Sequence, residues 1–234
     1  MKDSYIVSGG LIVTAVIIGV FMWISSREIA KGIAQSRVLQ PPRGDKQPPS
    51  DIRPTADFSK LLVAGRPSAG STDAPITMIV CSDFQCPFCA KFAHEVINKL
   101  RGDFIKNGKL KVVFKHDPLP FHPLAQKASE AAECAHRQGK FWAMHDRLFS
   151  DGVSQEANAL KSSARAIGLD IEKFNRCLEN GETAETVRRD KEECEAAGVT
   201  GTPTIFINGK KIVGAQPYDQ FKNLIAEAVK QSSK

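Results

Sequence analysis

The chain has 234 residues, of which 42% are hydrophobic and 25% are charged, a composition typical of a globular protein. The net charge is +6, but Lys and Arg are dispersed among Asp and Glu, as in residues 188–193. No basic stripe carries interleaved aromatic residues, so the sequence does not predict nucleic-acid binding. The six cysteines are too few for a small disulfide scaffold, and their even number and scatter suit an oxidising compartment.

The first segment, Ser4–Ser26, contains no charged residue and is dense in Ile, Val, Leu and Phe. As a helix it would be roughly 34 Å long at about 1.5 Å per residue, enough to cross the hydrocarbon core. We therefore expect residues 1–26 to form a transmembrane signal anchor. A cleaved signal peptide and a buried globular helix are the alternatives, but signal peptides usually have a shorter apolar core and a small-residue cleavage site.

The orientation of this anchor rests on two opposing arguments. Lys2 precedes the span, whereas Arg27, Lys31 and Arg37 follow it, which favours a cytoplasmic C-terminal part. Long domains translocate regardless of flanking charge, however, and the cysteine content points to an oxidising space. We give the redox argument more weight and expect a single-pass inner-membrane protein with a periplasmic, or otherwise extracytoplasmic, folded domain.

Residues 27–57 connect this anchor to the folded domain. Ile29 and Ile33 fall on one side of a potential helix, so residues 27–39 are either irregular or a stalk that forms a homo-oligomer. Residues 40–55 are Pro-rich and predict a semi-rigid extended spacer. The folded domain is expected over residues 58–234.

The pattern in the folded domain predicts an α/β architecture. Short apolar runs predict strands, the last two of which flank Asn208-Gly209, a strong hairpin signal. A parallel pair followed by an antiparallel pair, with helices outside, gives a mixed sheet, and the long helical block at about residues 117–182 is an inserted subdomain. The predicted strands are Ile76–Val80, Leu110–Lys115, Thr204–Ile207 and Lys211–Val213; the helices after the first are Leu124–Arg137, Lys140–Phe149, Ala157–Ile167, Ile171–Leu178, Thr183–Ala197 and Tyr218–Lys230.

The chemistry of the chain centres on Cys86-Pro87-Phe88-Cys89, which lies where a strand ends and a helix begins. With Cys86 as the N-cap, Pro87 falls at the first helical position, where its missing N–H removes no needed donor. The free N–H groups of the first turn and the helix dipole favour a thiolate at Cys86. Cys89 lies one turn further on, near enough to close a disulfide.

Two separate stretches resemble the DsbA-like branch of the thioredoxin-fold family. The first is Asp73–Ile76 followed by Ser82–Cys89, which contains the CPFC motif, and the second is Gly198–Thr204, which contains Thr202-Pro203. The resemblance covers about residues 67–234. It implies a thioredoxin fold with an inserted helical subdomain, and a cis Pro203 beside the active site, where an extended substrate pairs with the backbone near Thr202.

This resemblance also implies a mechanism that needs no cofactor. A substrate thiolate attacks an exposed Cys86 to form a mixed disulfide, and Cys89 releases a trapped substrate in the reverse direction. The implied partners are exported proteins with cysteines and a membrane redox protein that recycles the pair. Oxidase and isomerase or reductase activities remain open as alternatives.

Three positions depart from the family pattern: Phe88, Val80 and Cys81, the last of which stands where this branch commonly has an aromatic residue. Phe88 brings no positive charge to the Cys86 thiolate, so we expect a less oxidising pair than in relatives with His at that position. Val80 stands where many thioredoxin-fold proteins have a buried acid, so proton transfer to Cys89 needs water or another group. Lys115 is a candidate, although a simple strand-end lysine is the interpretation that we favour.

The other cysteines and histidines receive structural roles. Some relatives carry a second disulfide at similar positions, which implies a Cys134–Cys177 bond. Cys81 and Cys194 either pair or remain buried thiols, of which we favour the second; Cys81 as a third redox partner is a weaker alternative. His116 and His122 are assigned to capping and hydrogen bonding, or else to tuning the pKa of Cys86, and the single CxxC predicts no metal site.

The leading hypothesis is a membrane-anchored thiol–disulfide oxidoreductase that acts on exported proteins. A non-catalytic module that binds client proteins as a holdase or scaffold is the alternative from another class, and the intact CPFC motif argues against it. A cytosol-facing disulfide reductase is supported only by the charges around the span.

Overall fold

The computed structural model describes residues 61, 62 and 64–232. The expected anchor at residues 1–26, and the juxtamembrane segment and spacer at 27–57, lie outside the described residues and remain predictions. Within the described part of the chain, no helix combines the length and the apolarity that crossing a membrane requires.

A five-stranded mixed sheet, ordered β1-β3-β2-β4-β5, forms the centre of the fold. β2 and β3 are parallel, and the pairs β1–β3, β2–β4 and β4–β5 are antiparallel. The predicted parallel and antiparallel pairs are therefore confirmed, and the two-residue β1 at the edge is an addition too short to leave a sequence pattern. The strands are β1 Ser68–Ala69, β2 Ile76–Ser82, β3 Leu110–His116, β4 Thr204–Ile207 and β5 Lys210–Val213.

The first helical run starts directly after the CPFC cysteine Cys86 and changes its winding twice. It comprises α1 Pro87–Phe92, the π-helical segment π1 Ala93–Ile97, α2 Asn98–Leu100 and a second π-helical segment, π2 Arg101–Ile105. Periodicity predicts a helix here but does not distinguish π from α winding. The other helices, which match the predicted ones to within two residues at each end, are α3 Ala125–His136, α4 Phe141–Leu148, α5 Ala157–Ala166, α6 Ile171–Glu179, α7 Ala184–Ala196 and α8 Tyr218–Ser232.

The two faces of the sheet are covered by different helices, because side chains alternate between the faces along each strand. Val80 on one face belongs to an apolar cluster that includes Phe92 of α1 and Phe221 of α8. Cys81 on the opposite face belongs to a second cluster that includes Cys194 of α7. The CPFC helix and α7 therefore lie on opposite sides of β2.

The inserted helices α3 to α6 build a third apolar cluster, which includes Cys86 and Cys89. Aromatic rings connect this cluster to the sheet: Phe114 of β3 lies 5.1 Å from Phe141 and 5.4 Å from Phe84, between ring centroids. The helical insertion thus packs directly against the CPFC motif and shields its inner side from solvent.

Candidate functional site

Cys86 occupies the N-cap of α1, with φ −75° and ψ 120°, and Pro87 takes the first helical position. Pro at this position has a suitable φ and lacks an N–H that would otherwise be unpaired. The Sγ makes no capping hydrogen bond, so the first-turn N–H groups act on it through electrostatics. The strand-to-helix junction thus places one sulfur at the positive end of the helix.

The Cys86 sulfur is strongly acidified. Its pKa falls from 9.0 to about 5, chiefly because the Cys89 side chain donates a hydrogen bond to it, and Thr202 and the N–H groups of Phe88 and Cys89 add to the effect against the opposing cost of burial. The expectation of an exposed sulfur is corrected: Cys86 is 5% exposed, since its Sγ lies against the Thr202 carbonyl at 3.4 Å.

Cys89 is the inner sulfur of the pair and is 1% exposed. Burial, together with the neighbouring Cys86, raises its pKa well above 9.0. Its Sγ accepts a long hydrogen bond from the Asp83 N–H at 3.5 Å. Both cysteines are free thiols in the structure, so the site combines one sulfur ionised at neutral pH with one that stays protonated.

The Thr202–Pro203 segment lies directly over Cys86, as the resemblance implies. The peptide bond between Thr202 and Pro203 is cis. The Pro203 carbonyl accepts a hydrogen bond from Gly214 at 2.8 Å, which ties this turn to the end of β5. The Thr202 Oγ1 is buried and has no other hydrogen-bond partner within the described part of the chain, so its hydroxyl is free to donate to the Cys86 thiolate, whose pKa it lowers.

Phe88 projects from the first turn of α1 and is 63% exposed. Phe121, in the loop after β3, is 72% exposed. This loop is fixed beside the motif because His122 bonds Asp83 at 2.8 Å and the Cys86 N–H donates to the Asp83 carbonyl at 3.2 Å. Two exposed aromatic side chains therefore belong to segments that adjoin the reactive sulfur.

Asp83 is a site residue that the sequence analysis missed. It is fully buried, and its carboxylate accepts hydrogen bonds from the N–H groups of Gln85 at 2.6 Å and Leu119 at 2.8 Å, besides His122. The Asp–x–Gln spacing, in which an Asp side chain bonds the backbone two residues on, is the signal that could have indicated this turn. His122 thus has the hydrogen-bonding role expected of it.

Lys115 is not placed to exchange protons with Cys89. It lies opposite Cys81 in the sheet register and points toward α7, where its Nζ bonds Asp190 at 3.0 Å and also Glu193. Val80, by contrast, pairs with Phe114. Because Lys115 is offset by one residue from Phe114, its side chain emerges on the other face, and its candidacy as the proton group is wrong.

His116 also takes a structural position. Its Nε2 lies 3.0 Å from Glu133 of α3, and ligand atoms of His116, Glu133 and Asp190 fall within 4.8 Å of one another. This trio is a poor fit for a metal ion, because the Asp190 Oδ1 already contacts Lys115 at 3.0 Å and Arg66 at 2.6 Å. A further cation there would face two positive charges.

The four remaining cysteines form two disulfides. Cys134 of α3 is bonded to Cys177 of α6, the pairing that the resemblance implies. Cys81 is bonded to Cys194, with 6.2 Å between their Cα atoms, so the preference for free thiols there is wrong. The reason is that α7 packs across β2 on the Cys81 face, a long-range contact that cysteine spacing alone does not indicate.

The family model described as "Thioredoxin" matches residues 63–227. Among curated proteins, the Na(+)/H(+) antiporter NhaA 1 of Mycolicibacterium gilvum is 36% identical over 171 residues, which cover 72% of this chain and 26% of that protein. NhaA 3 of Salinispora tropica is 35% identical over 151 residues, 64% of this chain and 22% of that protein. The chain thus spans about a quarter of the length of these curated relatives.

The match to solved structures of the same fold extends over nearly the whole length of each solved chain. Oxidised BdbD from Bacillus subtilis is 27% identical, with a TM-score of 0.65 over 71% of this chain and 94% of that one. Wolbachia pipientis α-DsbA1 is 23% identical, with a TM-score of 0.66 over 73% and 94%. The catalytic domain of Proteus mirabilis ScsC is 23% identical, with a TM-score of 0.63 over 74% and 94%. The chain belongs to the thioredoxin family.

Proposed function

We propose that this protein catalyses thiol–disulfide exchange on exported proteins through Cys86 and Cys89, from a domain held at the extracytoplasmic side of the inner membrane. The observation that carries the proposal is the pairing of opposite thiol properties at one helix start. The pKa of Cys86 is lowered to about 5, whereas that of Cys89 is raised. An acidic attacking sulfur and a protonated resolving sulfur are what two-step exchange requires.

In the oxidising direction, a substrate thiolate attacks Cys86 of the oxidised pair and the Cys86–Cys89 bond breaks. The electron pair of that bond goes to Cys89, which takes up a proton. A second substrate thiolate then attacks the substrate sulfur of the mixed disulfide, and Cys86 leaves as a thiolate. Two electrons have passed from the substrate to the pair. In the reducing direction, the Cys86 thiolate attacks a substrate disulfide and Cys89 displaces the substrate.

Substrate would bind beside this pair mainly through backbone and apolar contacts. An extended segment that pairs with the backbone at Thr202 would bring its sulfur toward Cys86, whose Sγ lies 3.4 Å from the Thr202 carbonyl. The exposed rings of Phe88 and Phe121 would add apolar contact without sequence specificity. Such a surface suits unfolded proteins that expose cysteines next to apolar residues.

The membrane-anchored part of the proposal rests on the N-terminal sequence. Residues 1–26 are long and apolar enough to act as the anchor, and the Pro-rich spacer would hold the domain away from the bilayer. Fractionation tests this: the full chain is expected in the membrane pellet, and a chain starting at residue 58 in the soluble fraction. Labelling of an engineered cysteine in the spacer by a membrane-impermeant maleimide reports on which side the domain lies.

Trapping of mixed disulfides tests the chemistry. In cells quenched with acid and alkylated, a Cys89→Ala variant is expected to accumulate mixed disulfides with exported proteins, and Cys86→Ala is the matched control that should accumulate none. If Cys89→Ala captures no partner through Cys86, the enzymatic proposal fails. Clients bound equally by both variants without a covalent bond would instead support a holdase. The redox state of the wild-type pair, oxidised or reduced, separates oxidase from isomerase or reductase.

A further inference from the structure

A small cavity lies behind the inner sulfur of the site. It is lined by Ser82, Cys89 and His145, with apolar side chains around them, and its volume of about 10 Å³ is close to what a single water needs. The three polar groups can supply the hydrogen bonds that such a water requires. The cavity therefore brings a thiol, a hydroxyl and an imidazole together on the inner side of the CPFC motif.

His145 is a buried imidazole in an aromatic setting. It is 3% exposed, and its ring centroid lies 5.5 Å from that of Phe114 and 4.9 Å from that of Phe149. Burial lowers its pKa below 6.5, against the opposing effect of Asp146, so the ring is neutral at pH 7. Its Nδ1 lies 2.8 Å from the Asp146 Oδ1. Since a carboxylate accepts, Nδ1 carries the hydrogen and Nε2 is the basic nitrogen.

Asp146 connects this buried ring to the surface. Its side chain is 46% exposed, and both of its oxygens accept hydrogen bonds from Arg101 at 2.7 Å. The hydrogen bonds from His145 and Arg101 outweigh partial burial and lower the pKa of Asp146 to about 2. A permanently ionised carboxylate thus orients the imidazole and stabilises a positive charge on it, in the way that a buried Asp supports a catalytic His.

The resolving step creates a need for such a group. Cys89 must lose its proton before it can attack the mixed disulfide, and burial opposes that loss. Val80 offers no acid or base, and Lys115 lies on the other face of the sheet. His145 is the titratable side chain, besides Cys89 itself, that lines the cavity.

We propose that His145, positioned by Asp146, is the proton relay for Cys89, acting across the small cavity through a water or the Ser82 hydroxyl. The proposal rests on the exchange chemistry of Cys86 and Cys89 proposed above. In the resolving step, the Cys89 proton passes to Nε2 of His145, the Cys89 sulfur attacks Cys86, and the substrate leaves as a thiolate. In the oxidising direction, the departing Cys89 thiolate takes a proton back by the same route.

Charged groups on neighbouring elements set how easily His145 accepts that proton. Asp146 on its own helix favours the imidazolium, whereas Arg101 of π2 and His94 of π1 oppose it. His116 of β3 packs against the Phe84 and Phe114 rings and is engaged with Glu133. The imidazolium is therefore short-lived, as a relay requires, and passes its proton on to solvent or to the departing thiolate.

A single-turnover experiment isolates this step. The pair is loaded as a mixed disulfide of Cys86 with 2-nitro-5-thiobenzoate, and release of the coloured thiolate by Cys89 is followed by stopped flow from pH 5.5 to 10. His145→Phe keeps the aromatic packing but removes the base. Trp142→Phe is the matched control, because Trp142 lines the same cavity and carries no base.

General-base catalysis contributes about 10²- to 10⁴-fold, so release by His145→Phe at pH 7 should be slower by about 10²-fold. The deficit should shrink as pH rises and vanish near pH 10, where hydroxide takes over. Asp146→Asn, a half-exposed position that tolerates change, should show a smaller deficit of about 10-fold with the same pH trend. Trp142→Phe should follow the wild type.

The inference is overturned if His145→Phe matches Trp142→Phe at every pH, or if its deficit is the same at pH 7 and pH 10, as packing damage would give. If His145→Phe does not fold, an unchanged pH profile in Asp146→Asn overturns it equally. A wild-type protein that forms no mixed disulfide at Cys86 would instead contradict the proposed function on which the relay depends.

Discussion

Ionisation of Cys86 makes the stability of the reduced protein depend on pH. The pKa of this thiol is 9.0 without its surroundings and about 5 in the folded, reduced protein. A group whose pKa is depressed on folding stabilises the fold above the folded pKa and loses that contribution as pH falls through it. The oxidised pair carries no such term, because a disulfide does not titrate. The reduced form should therefore lose stability relative to the oxidised form between pH 7 and pH 5.

The size of the effect follows from the two pKa values of Cys86. At any pH between these two pKa values, the unfolded chain binds one proton more than the folded chain. The free energy of unfolding therefore changes by about 1.4 kcal/mol per pH unit in that range. Allowing for half-titration at pH 5, the reduced form gains about 2 kcal/mol over the oxidised form from pH 5 to pH 7. The same linkage raises the reduction potential at pH 7 by about 60 mV relative to an unperturbed thiol.

Guanidinium unfolding of both redox forms, followed by far-UV circular dichroism from pH 4.5 to 8, measures this difference. The reductant must spare the two buried disulfides, which alkylation and mass spectrometry verify. Cys86→Ala is the control, and its reduced form should lack the pH-dependent gain. A difference between reduced and oxidised wild type that stays constant from pH 5 to pH 7 would refute an ionised Cys86.

Three further predictions follow from contacts around the site and across the sheet. Thr202→Val removes a side chain that lowers the pKa of Cys86, so that pKa should rise, measured as thiolate absorbance at 240 nm; an unchanged titration curve would contradict this role. Lys115→Met leaves the fully buried Asp190 with one cation fewer and should lower the free energy of unfolding by about 3 kcal/mol. A loss below 1 kcal/mol in denaturant unfolding would contradict a stabilising buried ion pair. Replacing Cys81 and Cys194 together by Ala opens a bond with a sequence separation of 113, which should cost about 4 kcal/mol by the same assay; equal stability would mean that the bond does not form.

Most of the secondary structure could be predicted from the sequence because its signals are local. Asn208-Gly209 predicts the β4–β5 hairpin, and Pro87, which takes the first helical position, predicts the start of α1. The π-helical winding after Phe92 was not predictable, because apolar periodicity does not distinguish π from α winding. The edge strand Ser68–Ala69 is not predicted from the sequence, because two residues are too few to show the alternating pattern of a strand.

Predictions that depended on register were less successful. Lys115 is a candidate proton group for Cys89 from the sequence because it lies on the neighbouring predicted strand, but the sequence does not fix which face of the sheet it occupies. The observed register pairs Val80 with Phe114, so a one-residue offset moved the candidate to the opposite face. His145 was assigned no role from sequence because its helix is brought to the cavity by tertiary packing alone.

The alternation of side chains between the two faces of β2 also separates the exchangeable thiols from the structural disulfide. Ser82 points into the cavity behind Cys89, whereas Cys81, the preceding residue, points to α7 and is bonded to Cys194. Exchange requires a thiolate to approach a disulfide sulfur directly, and here the sheet itself lies between Cys89 and the Cys81–Cys194 bond. Cys81 is therefore excluded as a third redox partner, and the chain keeps a structural disulfide within a few residues of its CPFC pair.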